Sequence, residues 1–342
     1  MNLLPNAEQL ELVRSLGRLL ADSYPVSRLG ASGRDPASGR AGLAALRALG
    51  WLGVGMPERC GGVGLPLPEQ ALIARELGGH LMPLQTLGAI LASRIAALAG
   101  DDDLALGITE GDGTVALLVP DTAPADDLAR RIDGYLVDEQ DAKLALWVSP
   151  RSATLIEHGS SAGSAALRAM DGAGGLGRMR ADDGVVRVAI EGGEAFHHLL
   201  LLLAAYAAGM CNAICSITAD FAKLREQFGQ PIGAFQAVKH RCADMAIRAE
   251  VLFSQVAFAA AALSEGRSDG GYQALCVKIN ASNYAIASAQ DAIQLHGAIG
   301  TTEELVVHHF LKRAHLIDLL PAPTAVLKAM LVDQDDVQDV AA

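Results

Sequence analysis

The chain lacks the features on which nucleic-acid-binding, metal-binding and disulfide-rich proteins depend. Its 27 lysines and arginines face 39 acidic residues, and the net charge of −12 argues against a phosphate-backbone partner. Its five cysteines form no C-x-x-C pair, and no histidine lies at metal-ligand spacing from them, which is typical of buried thiols in a reducing cytosol. Aromatic residues make up only 4% of the chain, whereas 51% is hydrophobic, so its 342 residues can fill two or three domains.

Long apolar runs and a signal peptide are also missing. The longest apolar run, Leu199 to Cys211, is shorter than the roughly 18 residues that a membrane-spanning helix needs. The first residues, MNLLPNAEQLELVRS, carry acidic side chains and Pro5 where a signal peptide has a basic start and an apolar stretch. We therefore expect a cytoplasmic protein with no membrane and no nucleic-acid partner.

The sequence pattern changes twice along the chain, which predicts an α+β fold of three domains. Residues 1–100 alternate amphipathic helical patterns with glycine and proline breaks and predict an N-terminal helical domain. Residues 101–193 consist of short apolar runs between turn residues and predict a small middle β domain. Residues 194–333 return to long helical patterns with short breaks, which predict a C-terminal four-helix bundle. An acidic tail, 334–342, follows.

The individual elements can be placed as well. In the first domain the patterns NAEQLELVRSLGRLLAD, SGRAGLAALRALGW and PEQALIARELGGH predict helices, with Asn6 as an N-cap of the first. The predicted strands are TVALLVP, GYLVDE, KLALWVS, ATLIEH and GVVRVAI, and the segment 159–177 predicts a loop. The bundle helices are predicted at about 194–227, 233–265, 270–296 and 303–330.

Two motifs in the bundle combine polar groups with helix breaks. In 225-REQFGQPIGAFQAVKH-240, Arg225 ends one helical pattern and Gln236 begins the next, with Gly229 and Pro231 between them. Arg225 fits either a cation near a helix C-terminus or a ligand of an anion. In the second motif, QLHGAIGTTE, Gly297 is a turn glycine or a point of close backbone approach to a ligand. Phe228 fits a core position or a ligand contact.

Together the motifs RxxFGxPIxxFQxVKHxxADM, QLHGxIGxTxE and LKRA resemble the flavin-dependent acyl-CoA dehydrogenases. MPERCGGVGLPLPEQALIARELG resembles the N-terminal helical domain of that family, and the likeness covers 40–80 and 194–320 well but the β domain poorly. It implies FAD at a subunit interface, with this chain contacting the ADP half. The residues at the matching positions are Arg225, Phe228, Gln236, Gln294, Gly297 and Ala298; the family usually has glycine in place of Ala298.

The chemistry of these residue types suits that ligand. Arginine presents a planar set of donors to a pyrophosphate, and Gln236 and Gln294 can donate and accept at an adenine or ribose edge. Gly297 lets the backbone approach the phosphates, and we expect the N–H groups of a helix beginning after it to favour an anion.

The resemblance also implies that the catalytic carboxylate is missing. Family members place a glutamate, which removes the α-proton of the thioester, at one of two positions. Here the first is occupied by Pro321, in HLIDLLPAPTAV, and the second falls at or beside Leu199. Glu194 and Asp318 are the carboxylates that could serve as a displaced base. The strand motifs that hold the isoalloxazine ring in the family are incomplete too.

Loss of the base beside retained ADP-side contacts is similar to the non-catalytic subunit of actinobacterial heterotetrameric acyl-CoA dehydrogenases that act on steroid side-chain CoA thioesters. The resemblance implies an α2β2 complex in which a homologous catalytic subunit binds most of the acyl-CoA, with electron-transfer flavoprotein as acceptor. Two alternatives remain open. One is a self-sufficient homo-oligomer that uses Glu194 or Asp318 as the base, and the other is a flavin-free acyl-CoA-binding or scaffold protein.

Overall fold

The structure of the protein is a computed structural model that describes most of the chain. The described residues are 3–29, 36–110, 114–121, 132–138, 142–158, 175–180 and 184–333. The predicted tail 334–342 lies outside them, as does most of the predicted loop 159–177.

Helices fill the N-terminal region up to the sheet, and the first begins at its predicted cap. The Asn6 side chain accepts a hydrogen bond from the Gln9 backbone N–H at 2.9 Å, and the Gln9 side chain accepts one from the Asn6 N–H at 2.8 Å. The sequence predicted α1 to α3 but missed α4 and α5, because α4 is apolar on nearly every side and shows little amphipathic periodicity. The helices are α1 Ala7–Ser23, α2 Pro36–Ala48, α3 Leu67–Gly79, α4 Gln85–Leu98 and α5 Asp102–Thr109.

A mixed sheet follows, with strand order β5-β2-β1-β3-β4-β6. Among the described strands, the β1–β3 pair is parallel and the other pairs are antiparallel. The five predicted strands are confirmed, but β5 had been assigned to the loop because LGRM is short and follows a glycine-rich stretch. The strands are β1 Thr114–Pro120, β2 Gly134–Val137, β3 Ala142–Val148, β4 Ser152–His158, β5 Leu176–Met179 and β6 Gly184–Glu191.

The C-terminal region is helical, as predicted, but its fourth helix is broken. The single helix predicted over 303–330 is wrong, because Pro321 and Pro323 cannot continue a helix and 303–306 form turns. The helices are α6 Glu194–Leu224, α7 Gln236–Ser264, α8 Gly270–His296, α9 Val307–Asp318 and α10 Thr324–Val332. Between α6 and α7, β7 Glu226–Gln227 pairs with β8 Gln230–Pro231 in a short hairpin.

The described residues form two compact units that do not follow the chain order. The first contains residues from 1–35, 71–81 and 201–342, and the second contains residues from 36–70 and 82–200. In the second unit α4 packs closely on the sheet, since a Cβ on Gly88 would lie 2.9 Å from the Val115 carbonyl oxygen. The domain limits drawn from the sequence stay a prediction.

Within the described residues, α6 and α7 are long and apolar enough, by length and composition, to cross a membrane. The apolar window of α6 is 72% buried inside the protein, as in the core helix of a bundle, whereas that of α7 is 33% buried. The exposed positions of α7 include Ile247 and Val251, one helical turn apart on the same face.

Candidate functional site

The six residues predicted to contact a cofactor all lie in the first compact unit, at the ends of its long helices. Arg225 directly follows α6, Phe228 is at the hairpin tip and Gln236 is the first residue of α7. Gln294 is in the last turn of α8, and Gly297 and Ala298 follow that helix. All six are exposed.

An aromatic contact brings the two motifs together. The rings of Phe221 in α6 and His296 in α8 stack with centroids 4.2 Å apart and an interplanar angle of 27°. Burial lowers the pKa of His296, and its Nδ1–H donates to the Ala292 carbonyl at 2.7 Å. The chain leaving α6 toward Arg225 therefore lies beside the chain leaving α8 toward Gly297.

A charged contact joins α7 to the same end of α8. Asp291 Oδ1 accepts from Arg241 Nη1 at 2.9 Å, and Asp291 Oδ2 accepts from Arg248 Nη1 at 2.7 Å. The sequence reasoning missed Asp291 and the Phe221–His296 stack, although each lies within one or two turns of a predicted contact. Proximity to the motifs was the only available signal, because nothing in the spacing shows which side chains meet across helices.

The hairpin tip holds an exposed aromatic side chain in a strained conformation. Phe228 has φ 55° and Gly229 has φ 78°, so the two-residue loop resembles a type I′ turn. Asparagine or glycine is usual at the first of these positions, because a side chain at positive φ is strained. Phe228 is nevertheless 92% exposed and touches Phe235 edge-on, with centroids 6.1 Å apart. The interpretation of Phe228 as a core residue is therefore wrong.

Three polar side chains at the helix ends that carry the two motifs are free for a ligand. Within the described ranges, the side chains of Arg225, Gln236 and Gln294 form no hydrogen bond or ion pair with another residue. Gly297 has φ 68° and ψ −148°, and no atom lies within 4 Å of the place where its Cβ would stand. A cation, two amides and open backbone fit the ADP half of a flavin.

The backbone after Gly297 differs from the expectation of a helix N-terminus. A five-residue 3-10 turn, Gly297–Thr301, follows, and the α-helix begins only at Val307. Ala298 is exposed and its carbonyl accepts from Thr301 Oγ1 at 2.9 Å. The side-chain donors, and not a helix N-terminus, are therefore the groups suited to an anion.

The two candidate displaced bases each have a partner within their own compact unit. Glu194 is 71% exposed and pairs with Arg94 at 2.7 Å, at the start of α6. Asp318, at the end of α9, accepts a hydrogen bond from Thr324 Oγ1 and lies near Lys278. Each carboxylate therefore already has one hydrogen-bond or ion-pair partner.

Several histidines are buried. His308 and His309 are both buried, and their ring centroids are 4.1 Å apart. His198 is buried too; desolvation lowers its pKa to about 3, and its Nε2 lies 2.9 Å from Gln70 Oε1. No cluster of three or more His, Cys, Asp or Glu side chains that could hold a metal occurs in the part of the chain that the structure describes.

Two family models match most of the chain. The acyl-CoA dehydrogenase C-terminal domain matches residues 192–331, and the acyl-CoA dehydrogenase N-terminal domain matches residues 6–103.

Curated relatives include two acyl-CoA dehydrogenases of Mycobacterium tuberculosis. IpdE2 is 30% identical over 280 residues, which cover 80% of this chain and 80% of IpdE2. FadE34 is 33% identical over 290 residues, which cover 80% of this chain but only 39% of FadE34. The chain thus spans well under half the length of FadE34.

Solved structures with the same fold include enzymes of two components. The Tcur3481-Tcur3483 steroid ACAD, in a variant form, is 25% identical with a TM-score of 0.78, over 98% of this chain and 99% of that chain. The ChsE4-ChsE5 complex from Mycobacterium tuberculosis is 19% identical with a TM-score of 0.75, over 97% of this chain and 98% of that chain, and shows the fold alone.

Proposed function

Because this chain belongs to the acyl-CoA dehydrogenase family, we propose that it is the non-catalytic subunit of a heteromeric, FAD-dependent acyl-CoA dehydrogenase. It contributes ADP-side contacts to a flavin that a homologous catalytic subunit holds, in an α2β2 complex. The reaction is the α,β-dehydrogenation of an acyl-CoA thioester. The Tcur3481-Tcur3483 steroid ACAD favours a steroid side-chain thioester as the substrate class.

One observation carries this proposal: the side chains of Arg225, Gln236 and Gln294 are exposed and without partners among the described residues, beside a hairpin that exposes Phe228. An exposed aromatic ring at positive φ is costly for a lone chain. The cost is offset when a ligand or a partner subunit covers the ring. The surface therefore fits a site that another chain completes.

Each of these residues contacts a different part of the flavin. The Arg225 guanidinium faces the pyrophosphate, and the amides of Gln236 and Gln294 bind the adenine or ribose. Phe228 covers the ligand from the hairpin, and Gly297 allows close backbone approach, with the methyl group of Ala298 beside it. Members of the family bind FAD, which when bound supplies the acceptor for the two electrons of the dehydrogenation.

The residues at the two family positions for the base, and the partners of the two candidate carboxylates, support the assignment of catalysis to the partner. Pro321 cannot accept a proton, and Leu199 is a buried hydrocarbon side chain. Glu194 is paired with Arg94, and Asp318 is bonded to Thr324. The partner therefore supplies the carboxylate and most of the acyl-CoA contacts, and electron-transfer flavoprotein is the acceptor of the complex.

Co-expression with a homologous catalytic subunit tests the proposal. We expect a colourless lone chain and a yellow complex with a defined flavin count per tetramer. A lone chain that retains FAD and reduces dyes with an acyl-CoA would overturn the subunit role.

Arg225→Ala in the complex tests the ADP-side role. Loss of one charge-assisted hydrogen bond weakens FAD binding roughly 10- to 100-fold. Arg14→Ala, an exposed arginine of α1 beside Glu11, is the matched control and leaves FAD binding unchanged. Complex-bound flavin that is indifferent to Arg225→Ala would favour a flavin-free scaffold role for this chain.

A further inference from the structure

Asp291 is bound by two arginines of the neighbouring helix at once. Its two carboxylate oxygens accept separately from Arg241 at 2.9 Å and from Arg248 at 2.7 Å. The Asp291 side chain is only 19% exposed, so water screens this pair of bonds less than it screens an exposed ion pair. One carboxylate thus fixes about two turns of α7 against one point of α8.

Asp291 lies next to the proposed ADP contacts. Asp291 and Gln294 are three residues apart on α8, so they lie on the same side of the helix, one turn apart. Arg241 lies in the second turn of α7, which begins at Gln236. The position of one glutamine relative to the other therefore depends on how the two helix ends are held together.

The opposite side of the α8 end is held by a different kind of contact. His296 stacks on Phe221 of α6, and its Nδ1–H donates to the Ala292 carbonyl, so this contact is an aromatic stack and not an ion pair. This contact holds α6 to α8 without using Asp291. The carboxylate of Asp291 bonds instead to α7, the helix that begins at Gln236.

We propose that Asp291 is a positioning residue for the adenosine end of the flavin: by binding Arg241 and Arg248 it sets the spacing of Gln236 and Gln294 so that both reach one ligand. This inference rests on the proposed function. It also bears on the charges, because Asp291 offsets part of the positive charge of Arg241 and Arg248, whereas Arg225 has no ion pair among the described residues and stays available to the pyrophosphate.

Titration of the flavin-free complex with FAD and with FMN tests this role. FMN lacks the adenosine end, so it reports the rest of the flavin site. We expect Asp291→Asn to weaken FAD binding about tenfold, equivalent to one lost ligand contact, and to leave FMN binding unchanged. Asp291→Glu, which keeps the charge, restores part of the FAD affinity, and Arg248→Gln shifts it in the same direction as Asp291→Asn.

Asp269→Asn is the matched control, since Asp269 also pairs with an arginine, Arg267 at 2.8 Å, at the opposite end of α8. It leaves both flavin affinities unchanged. Equal FAD affinity for wild type and Asp291→Asn, or an equal loss for FAD and FMN, overturns the positioning role while the subunit role stands. A wild-type complex that binds no flavin overturns both.

Discussion

Phe228 shows how a single residue can be unfavourable for the lone chain and useful in a complex. Its backbone has φ 55° and its ring is 92% exposed, so the chain stabilises neither the conformation nor the side chain by burial. Such positions persist when the surroundings or a binding function maintain them. The residue itself therefore provides a test that separates stability from binding.

Phe228→Gly relieves the strain because glycine accepts positive φ readily. We expect the lone chain to unfold in urea at an unchanged or slightly higher concentration. This corresponds to a gain of up to about 1 kcal/mol in the free energy of unfolding. In the co-expressed complex we expect lower FAD retention, since the covering ring is gone. If the Phe228→Gly variant is less stable than the wild type and still binds FAD normally, the ring stabilises the fold of this chain and does not contribute to flavin binding.

Lys278 is a fully buried lysine in α8, and it makes the stability of the protein depend on pH. Its Nζ donates to Ser282 Oγ at 2.9 Å, and burial lowers its pKa to about 8, with Asp318 acting in the opposite direction. In the unfolded chain the pKa returns to 10.5. Between about pH 8 and 10.5 the unfolded state binds more protons, so the contribution of Lys278 to the unfolding free energy rises with pH.

Lys278→Met removes the contribution of this lysine to the pH dependence of the unfolding free energy. We expect the wild type to gain on the order of 2 kcal/mol of unfolding free energy relative to the methionine variant between about pH 7.5 and pH 10. Urea unfolding of both proteins across this range measures the difference, and the comparison cancels the titration of other groups. Parallel stability curves would show that Lys278 titrates normally in the folded protein.

At the scale of elements, the crossing of α3 and α6 in the first compact unit depends on glycine. A Cβ on Gly78 would lie 1.9 Å from the Tyr206 carbonyl oxygen, and one on Gly209 would lie 1.8 Å from that of Arg75. Both clashes are with backbone, which cannot rotate away. The neighbouring Gly79 differs, because its Cβ would meet the Gly209 oxygen at an ordinary 3.7 Å.

Gly78→Ala therefore separates the two helices, whereas Gly79→Ala does not. We expect the first substitution to lower the unfolding free energy by about 3 kcal/mol. The second is neutral or slightly stabilising, because alanine favours the helix. Thermal or urea unfolding of the two variants checks this, and equal stabilities would mean that the helices can shift apart at little cost.

At the scale of the whole molecule, the proposed subunit role predicts that catalysis does not depend on Glu194, the exposed carboxylate at the start of α6. Glu194 is mostly exposed and its pair with Arg94 is a surface ion pair, so its charge contributes little to stability. We expect Glu194→Gln to leave the turnover of the co-expressed complex within about twofold of the wild type, since a general base contributes at least about 100-fold. A loss of that size in steady-state turnover would instead identify Glu194 as a displaced base.

Much of the architecture can be derived from the pattern of residues because local periodicity reports local structure. The helices α1 and α6 to α8 and five strands follow from the amphipathic and alternating patterns and from turn residues such as Gly229 and Pro231. The same reasoning failed for α4, which is buried on nearly all sides, and for β5, which is four residues long. It also merged α9 and α10, although Pro321 and Pro323 stand between them.

By itself, the sequence determined the succession of helical and strand patterns, the family motifs and the absence of a carboxylate at position 321, because these are properties of residues and their neighbours in the chain. Only the tertiary structure decided which side chains are exposed and which meet. Phe228 lies outside the core, His309 lies inside it, and Asp291 reaches arginines 43 and 50 residues away. Such contacts depend on how helices pack against one another, and the spacing of residues along one helix does not encode the partner on the next.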